Sequence, residues 1–395
     1  MRYRLYPTDS QAQVLTRHCA DARYIFNLAL EQWNWWQPGR RSAPGYLEQA
    51  RQLTELRAAE VWVAEGSQMV QQQALRDFDQ AKRNFFGGTH HRPRWRIKGK
   101  DEGFRIVSLK PEHVQRLNRH WGQVFIPKAG WVRFRWSRPV NGAKSYRVTL
   151  KAGHWHIAFA VKPESIGGPG DGSILGIDRG VVVPIACSDG TAYAVPGLGS
   201  SEVRNLKRLQ RKIARQKKGS GRRGRTKACI ARLKTTEARR RRDGIEKATT
   251  DLARRCDFFR IEDLHIRAMT GSARGTINKP GTRVRQKAGL NRAILASGWG
   301  LFAQRLEDKA PQRVERIKAA YTSMRCAACG CTDEANRESQ ARFVCKSCGL
   351  EANADFNAAR NIAAGHAVTA RGGSVQQGRP VNRELQLSAS LVGVG

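Results

Sequence analysis

The sequence predicts a multidomain α+β protein: a helical region, an antiparallel β-barrel or sandwich, and a mixed α/β domain interrupted by a four-cysteine zinc ribbon. Three observations predict it. The spacing of apolar residues switches from helical to alternating and then to mixed along the chain. Two CxxC pairs are separated by residues 330–344, a spacing suited to one tetrahedral metal. The 395 residues also hold 71 Lys+Arg against 33 Asp+Glu, a formal charge of +38. An isolated globule this basic would repel itself, so a polyanionic partner, nucleic acid, is the economical explanation.

Residues 1–8 read as a short strand in which Tyr3 and Leu5 alternate with Arg2 and Arg4; Pro7 ends it, and Thr8 or Ser10 can cap the helix that follows. Residues 9–88 form the helical region, with Leu15, Cys19 and Ala22 and later Leu75, Phe78, Ala81 and Phe85 at helical intervals. A polar helix face around Gln72 and Lys82 offers amides that could pair with adenine edges. Residues 89–163 change to short alternating segments punctuated by Gly and Pro, the β-barrel or sandwich. Arg94-Trp95-Arg96 and Arg133-Phe134-Arg135-Trp136 interleave charge with aromatic rings, a pattern that suits phosphate contact with base stacking and equally suits a half-buried strand.

Residues 164–173, rich in glycine, read as a linker. A hairpin meander follows: Ile174–Asp178, Val181–Cys187 and Thr191–Val195. Residues 203–242 then carry Arg204, Lys207, Arg208, Arg211, Lys212, Arg215, Lys217, Lys218, Arg222, Arg223, Arg225, Lys227, Arg232, Lys234 and Arg239–Arg242 with one acid, Glu237. Helical spacing of Leu206, Leu209, Ile213, Ile230 and Leu233, broken at Gly219–Gly224, predicts two basic helices joined by a loop. A charge run is usually a solvated face, but this one lacks the acids that i,i+4 pairing would supply. Arg208, Arg211, Lys212, Arg215, Arg222, Arg223, Arg239 and Arg240 are therefore candidates for phosphate contact. A strand at Phe258–Ile261, a Gly/basic loop over about 267–289, a helix near Leu290–Leu306, a strand-like Val314–Tyr321, the cysteine cluster and a helix over 354–364 complete the domain. Residues 366–395 lack periodicity and are expected to be disordered.

Hydrophobic residues make up 40% of the chain, enough for packed cores. There is no uninterrupted apolar run of about 18 residues, and Met1-Arg2-Tyr3-Arg4-Leu5-Tyr6 lacks a signal-peptide core. A soluble cytoplasmic protein with no membrane partner is expected. Cys326, Cys329, Cys345 and Cys348 form the two knuckles, each followed by a glycine, and Cys331 is surplus. With four thiolates and no open position the Zn²⁺ should be structural; the alternative is a set of reduced structural thiols. Asp178 and Glu262 each end an apolar strand. Acids at strand ends are commonly turn or cap residues, yet two of them in so basic a chain, joined by Asp355 at the start of the last helix, can converge on a hard cation such as Mg²⁺. Asp355 alone could be a helix N-cap.

Tyr6-Pro7-Thr8 with Gln11, Arg23-Tyr24-Ile25-Phe26-Asn27, Gly176-Ile177-Asp178-Arg179-Gly180, Ile261-Glu262-Asp263-Leu264, the ribbon, and Asn353-Ala354-Asp355-Phe356-Asn357-Ala358-Ala359-Arg360-Asn361-Ile362 together resemble the TnpB family, transposon-encoded RNA-guided DNA endonucleases related to the compact type V CRISPR Cas12 effectors. The resemblance implies a RuvC-like ribonuclease H nuclease domain over 174–325 and 350–365 with the ribbon, 326–349, inserted. It implies a helical recognition domain, 9–88, set into a wedge-like β-barrel made of 1–8 and 89–163. Asp178, Glu262 and Asp355 would be the catalytic triad holding two Mg²⁺ ions, one activating water and the other stabilising the leaving 3′ oxygen. The implied partners are a guide RNA and target DNA, double-stranded beside a short flanking motif and single-stranded where displaced, in the bacterial cytoplasm at the nucleoid. Two rivals share the residues: a ribonuclease H-type resolvase or transposase that works without RNA, and a guide-dependent repressor that only binds. Oligomeric state is not legible.

Overall fold

The computed structural model describes residues 1–365 apart from 38, 40–42, 163 and 319–320; the tail expected to be disordered, 366–395, lies outside the described residues. The chain divides into two compact units, Met1–Lys162 and Pro163–Gly395.

The first unit begins with β1 (Arg2–Tyr6) and runs into α1 (Asp9–Asn34). Thr8 is the cap: its hydroxyl accepts from the Gln11 amide at 3.3 Å, and the Gln11 side chain accepts from the Thr8 amide at 3.1 Å. Helices α2 (Tyr46–Ala59), α3 (Val61–Ala64) and α4 (Gln68–Phe86) follow. Leu15, Cys19, Ala22, Ile25, Phe26 and Ala29 make a buried stripe along α1, against which α4 sets Val70, Ala74 and Phe78. The Phe26 and Phe78 rings meet edge to face at 5.5 Å.

The strands β2 (Gly103–Ile106), β3 (Val114–Arg116), β4 (Trp121–Ile126), β5 (Gly130–Arg135), β6 (Ser145–Lys151) and β7 (His154–Ala160) join β1 in one seven-stranded antiparallel sheet, ordered β2-β6-β7-β1-β5-β4-β3. The expected barrel is not closed. The short strands β2 and β3 remain edges, unpaired with each other among the described residues. The sheet instead pivots on β1, whose first half pairs with β7 and whose second half pairs with β5. Tyr3, Phe134, Tyr146 and Phe159 fill the interior, and the Tyr146 hydroxyl, on β6, donates to the Phe125 carbonyl, on β4, at 3.1 Å. Ala152 and Gly153, both at positive φ, make the two-residue turn between β6 and β7.

The second unit is built on a five-stranded sheet ordered β10-β9-β8-β11-β12. Its strands are β8 (Ile174–Asp178), β9 (Ile185–Cys187), β10 (Ala192–Tyr193), β11 (Phe258–Glu262) and β12 (Val314–Ile317). The meander gives the antiparallel half, whereas β8, β11 and β12 are parallel neighbours. Parallel pairing requires long crossovers. The basic pair α5 (Ser200–Arg215) and α6 (Gly221–Arg255) supplies the first; α7 (Ile266–Met269), α8 (Val284–Ser297) and α9 (Trp299–Lys309) supply the second. The single helix expected near 290–306 is divided because Gly298 takes φ +72°. The strand expected over 314–321 stops at Ile317, and the one expected over 181–187 begins only at Ile185. The glycine-rich stretch is hydrogen-bonded in place: Asp257 accepts from the Gly170 and Gly172 amides at 2.9 and 2.6 Å, and Arg313 donates to the Ile166 carbonyl at 2.6 Å.

Leu175, Ile177, Phe259 and Ile261 face α6 and α9 in a core with Ile245, Leu252, Phe302 and Leu306. Side chains alternate along a strand, so Gly176 and Asp178 face the other way, toward α10 (Ala354–Ala363). A Cβ on Gly176 would stand 2.1 Å from the Ala359 carbonyl and 2.3 Å from the Ala363 amide. The helix backbone therefore lies directly on the strand. Gly176→Ala should destabilise this unit by about 1–3 kcal/mol or more through overpacking. Thermal unfolding of the variant checks this, and an unchanged melting temperature would contradict the close approach.

Candidate active site

The parallel register of β8 and β11 sets Ile177 opposite Ile261, so that Asp178 and Glu262 end neighbouring strands on the face covered by α10. Ala363, Ala359 and Asp355 lie four apart along one face of that helix. The first two sit over Gly176, and Asp355 is carried one turn further toward the strand ends. Its Oδ2 lies 3.7 Å from where a Gly180 Cβ would stand, in the loop that follows Asp178. Glu262 and Asp355 are buried and Asp178 is half-buried. Asp263, whose carboxylate could compete for the role, pairs instead with Arg316 at 3.5 Å.

The cap of α10 is Asn353 and not Asp355: its side chain accepts from the Asp355 amide at 2.9 Å and the Phe356 amide at 3.4 Å. Asp355 occupies the first helical turn, where the macrodipole favours an anion. Two arginines to which the sequence assigned no role complete the surroundings. Arg179 is buried, and its guanidinium donates to the backbone carbonyls of Glu262 and Trp299, while the Trp299 indole donates to the Gly180 carbonyl at 3.0 Å. The ends of β8, β11 and α9 are thereby stitched together. Burial lowers the Arg179 pKa, an effect opposed by Glu262 and Asp178 nearby. Arg337 reaches Asp355 Oδ1 at 3.7 Å. Arg179 lies within the Gly176–Gly180 motif, though no role was read for it there, and nothing local marks Arg337. The three carboxylates offer oxygen donors alone, which suits a hard divalent cation such as Mg²⁺.

Arg337 comes from the cysteine ribbon. The four Sγ atoms of Cys326, Cys329, Cys345 and Cys348 all lie within 4.8 Å of one another, with Cys326–Cys348 at 3.6 Å and Cys329–Cys345 at 3.5 Å. A tetrahedron with Zn–S bonds of ~2.3 Å has edges of about 3.8 Å, so the cage fits zinc. The two knuckles repeat one geometry. Gly330 and Gly349 take φ near +75° and donate to the Cys326 and Cys345 carbonyls, both at 3.0 Å. The Cys348 amide donates to Cys345 Sγ at 3.5 Å, favouring the thiolate and bringing its pKa down to about 6. Cys331 stands outside the four ligands; its carbonyl accepts from the Cys326 amide at 2.8 Å. The second knuckle joins β13 (Arg342–Val344) to its hairpin partner β14 (Glu351–Asn353), and β14 runs straight into α10.

The asparagines of α10 tie the ribbon to the acids. Asn357 donates to the Arg325 carbonyl at 2.7 Å and accepts from the Ala327 amide at 3.0 Å, while Asn361 donates to the carbonyls of Thr322 and Arg325 at 2.9 and 2.7 Å. The helix bearing Asp355 is thus hydrogen-bonded to the first knuckle along its length.

The candidate nucleic-acid contacts divide into two groups. Arg94 and Trp95 are exposed, as are Arg208, Arg211, Lys212, Arg215, Arg222 and Arg239 on α5 and α6. Gln72 is half-buried. Four others are engaged within their own unit. Arg96 stacks on the Phe26 ring at 3.8 Å and pairs with Asp77; Lys82 pairs with Asp79 at 3.9 Å; Arg223 donates to the Ile213 and Gln216 carbonyls that end α5; and Arg240 pairs with Glu202 at 2.5 Å. The first unit also holds an open cavity of about 670 Å³ that sequence reasoning missed, lined by Arg76, Gln80 and Asn84 of α4 and by Arg105 and Arg147, with the carboxylates of Asp77 and Asp79 among them. Arg105 and Arg147 are directly opposed on β2 and β6, a like-charge pair that Asp77 relieves by pairing with Arg147 at 3.1 Å.

Three family models match successive parts of the chain: "Helix-turn-helix domain" over residues 1–41, "Probable transposase" over 161–273 and "Cas12f1-like, TNB domain" over 299–362. A protein of Escherichia coli strain K12 named "Putative RNA-guided DNA endonuclease InsQ" is 38% identical over 392 residues, covering 97% of this chain and 96% of its own. The chain belongs to the TnpB family. A second relative, the "Putative RNA-guided DNA endonuclease" of Streptomyces pristinaespiralis, is 29% identical over 396 residues, covering 97% of this chain and 93% of its own. Among solved structures, a Cas12f1–sgRNA–target DNA complex contains a chain of similar fold, with a TM-score of 0.50 at 11% identity over 90% of this chain and 82% of that one. No helix among the described residues of this TnpB-family chain is long and apolar enough to cross a membrane.

Metal analysis should find one zinc per chain. Cys326→Ser with Cys345→Ser should lower the melting temperature, because a zinc in this cage would drive ribbon folding and the ribbon holds α10. A zinc-free double variant as stable as the parent would contradict the coupling.

Proposed function

We propose that this TnpB-family chain is an RNA-guided DNA endonuclease. The observation that carries the reading is the arrival of Asp178, Glu262 and Asp355 from three separate motifs at one end of one sheet, in a chain of charge +38. In this reading the second unit is a RuvC-like nuclease on a ribonuclease H fold, and the three acids hold its Mg²⁺ ions. Those ions, when bound, supply Lewis-acid stabilisation of the phosphodiester and a water nucleophile at neutral pH. Arg179 fixes the strand ends so that Asp178 and Glu262 keep their register. Asn353 orients the helix turn that presents Asp355.

The exposed cations of α5 and α6 would follow the phosphates of the guide–target duplex or of the displaced strand, binding by charge and shape while base pairing reads the sequence. In the first unit, read as helical recognition and wedge domains, the arginine-lined cavity is suited to the duplex beside the target. There Arg105 would meet phosphate, and the Gln80 and Asn84 amides would face base edges. A resolvase or transposase acting without RNA is the second reading, favoured by the "Probable transposase" match over residues 161–273.

Protein expressed with its native flanking DNA should co-purify with a discrete RNA, keep it at moderate salt, and cut only DNA that matches one segment of that RNA. Heterogeneous RNA that washes away, together with full-rate cutting by nuclease-treated protein, would overturn this reading and leave the resolvase in its place.

A further inference from the structure

The helices of the first unit enclose a second, smaller cavity, which shares no lining residue with the arginine-lined one. It measures about 200 Å³. Ile25 of α1, Leu53 of α2 and Leu75 of α4 stand on its wall with three glutamines, Gln32, Gln49 and Gln52, and every other lining residue is aliphatic. The three amides point the same way. Gln49 Nε2 donates to Gln32 Oε1 at 3.0 Å and to the Ala29 carbonyl at 3.3 Å; Gln32 Nε2 donates to Gln52 Oε1 at 2.7 Å; and Gln52 Nε2 donates to Glu48 Oε1 at 3.2 Å. Glu48 is itself held by Arg51 at 2.9 Å. The direction is fixed at both ends, because a carboxylate only accepts and a turned Gln49 amide would set its oxygen against the Ala29 carbonyl. What remains at the head of the series is Gln49 Oε1, an acceptor with no partner among the described residues, in a residue only 3% exposed.

We propose that this cavity binds a small, neutral, planar apolar molecule carrying one N–H or O–H group, its ring against Leu53 and Leu75 and its donor on Gln49 Oε1. Buried polar atoms are almost always hydrogen-bonded, and leaving one unpaired costs the desolvation of that group. Water suits the position poorly: a buried water needs about two to four polar partners, whereas the Gln32 and Gln52 amides are already spent on one another and on Glu48. A ligand that brings its own apolar surface satisfies the aliphatic wall and the single acceptor together. Size sets the class further. A protein cavity of about 150 Å³ holds benzene, so this one has room for a ring system slightly larger. Charge is excluded because no ionisable residue lines the wall to pair with it. A donor arriving at Gln49 Oε1 would also polarise the amide series down to Glu48, strengthening each bond in turn, and would join α2 to α1 and α4 across the cavity.

The test uses the full chain, with indole as the probe and indene, which has nearly the same shape and no N–H, as its control. Indole should bind saturably and raise the melting temperature as its concentration rises. Indene should bind about tenfold or more weakly, since it leaves Gln49 Oε1 unpaired. Gln49→Leu keeps the volume and removes the acceptor, so it should abolish the preference for indole over indene. Leu56→Phe, which carries a larger side chain into the cavity from α2, should abolish binding of both. Should Leu56→Phe fail to fold, Gln49→Leu decides alone. Absence of saturable indole binding to the parent chain, equal affinity for indole and indene, an undiminished preference in Gln49→Leu, or parent-like binding by folded Leu56→Phe would each overturn the proposal. None of these outcomes touches the guided reading, on which the proposal does not rest.

Discussion

The contact between α10 and β8 is the constraint on which the site depends. A helix can lie this close to a strand only where the strand offers no side chain, and Gly176 meets that need beneath Ala359 and Ala363. The same approach decides where Asp355 falls. Were α10 lifted by the width of a methyl group, Asp355 would leave the corner that the β8–β11 register gives to Asp178 and Glu262. The parallel pairing supplies two acids, the small-residue face of α10 supplies the third, and Arg179 locks the first two strand ends to α9. Arg260 secures the other end of the helix by donating to the Ala363 carbonyl at 2.5 Å.

The ribbon belongs to the same mechanical unit. Its second hairpin strand becomes α10 without a linker, and Asn357 and Asn361 bind the backbone beside the first knuckle. A zinc held by the four cysteines would thus act at a distance from the acids by fixing the helix that bears one of them, and Arg337 extends the ribbon toward that residue. The charge distribution has a comparable economy. Several of the scarce acids hold structural arginines and lysines, as Glu246 does with Arg305 and Lys309 and Glu202 with Arg240. The exposed cations of α5 and α6 are left in excess, which is the surface a polyanion would neutralise.

Much of this was legible in the sequence because it depends on local spacing. The CxxC knuckles, the strand-ending acids, the two basic helices and the Thr8 cap all announce themselves within a few residues. What was not legible depends on the folded arrangement. Alternation in residues 89–163 specifies strands but not closure, and the sheet pivots on β1 instead of closing because β2 and β3 are not brought together. The same alternation did not say which rings face outward: Phe134 is core, whereas Tyr6, Trp121, Phe125 and Trp131 line the outer face. Glycine content in 164–173 suggested freedom, yet Asp257 and Arg313, distant in sequence, pin that stretch. Arg96 and Arg223 look like surface cations and are consumed by Phe26, Asp77 and the end of α5. Arg337 lies in a ribbon whose other residues concern zinc, so only the tertiary structure brings it to Asp355.

The most direct test separates cutting from binding. In the proposed reading, removing one acid takes away a metal ligand and leaves the basic surfaces in place, so guide-loaded Asp178→Ala protein should bind matched DNA with nearly the parent affinity while losing cleavage by orders of magnitude. Cleavage at the parent rate would contradict the assignment of the acids to the nuclease site.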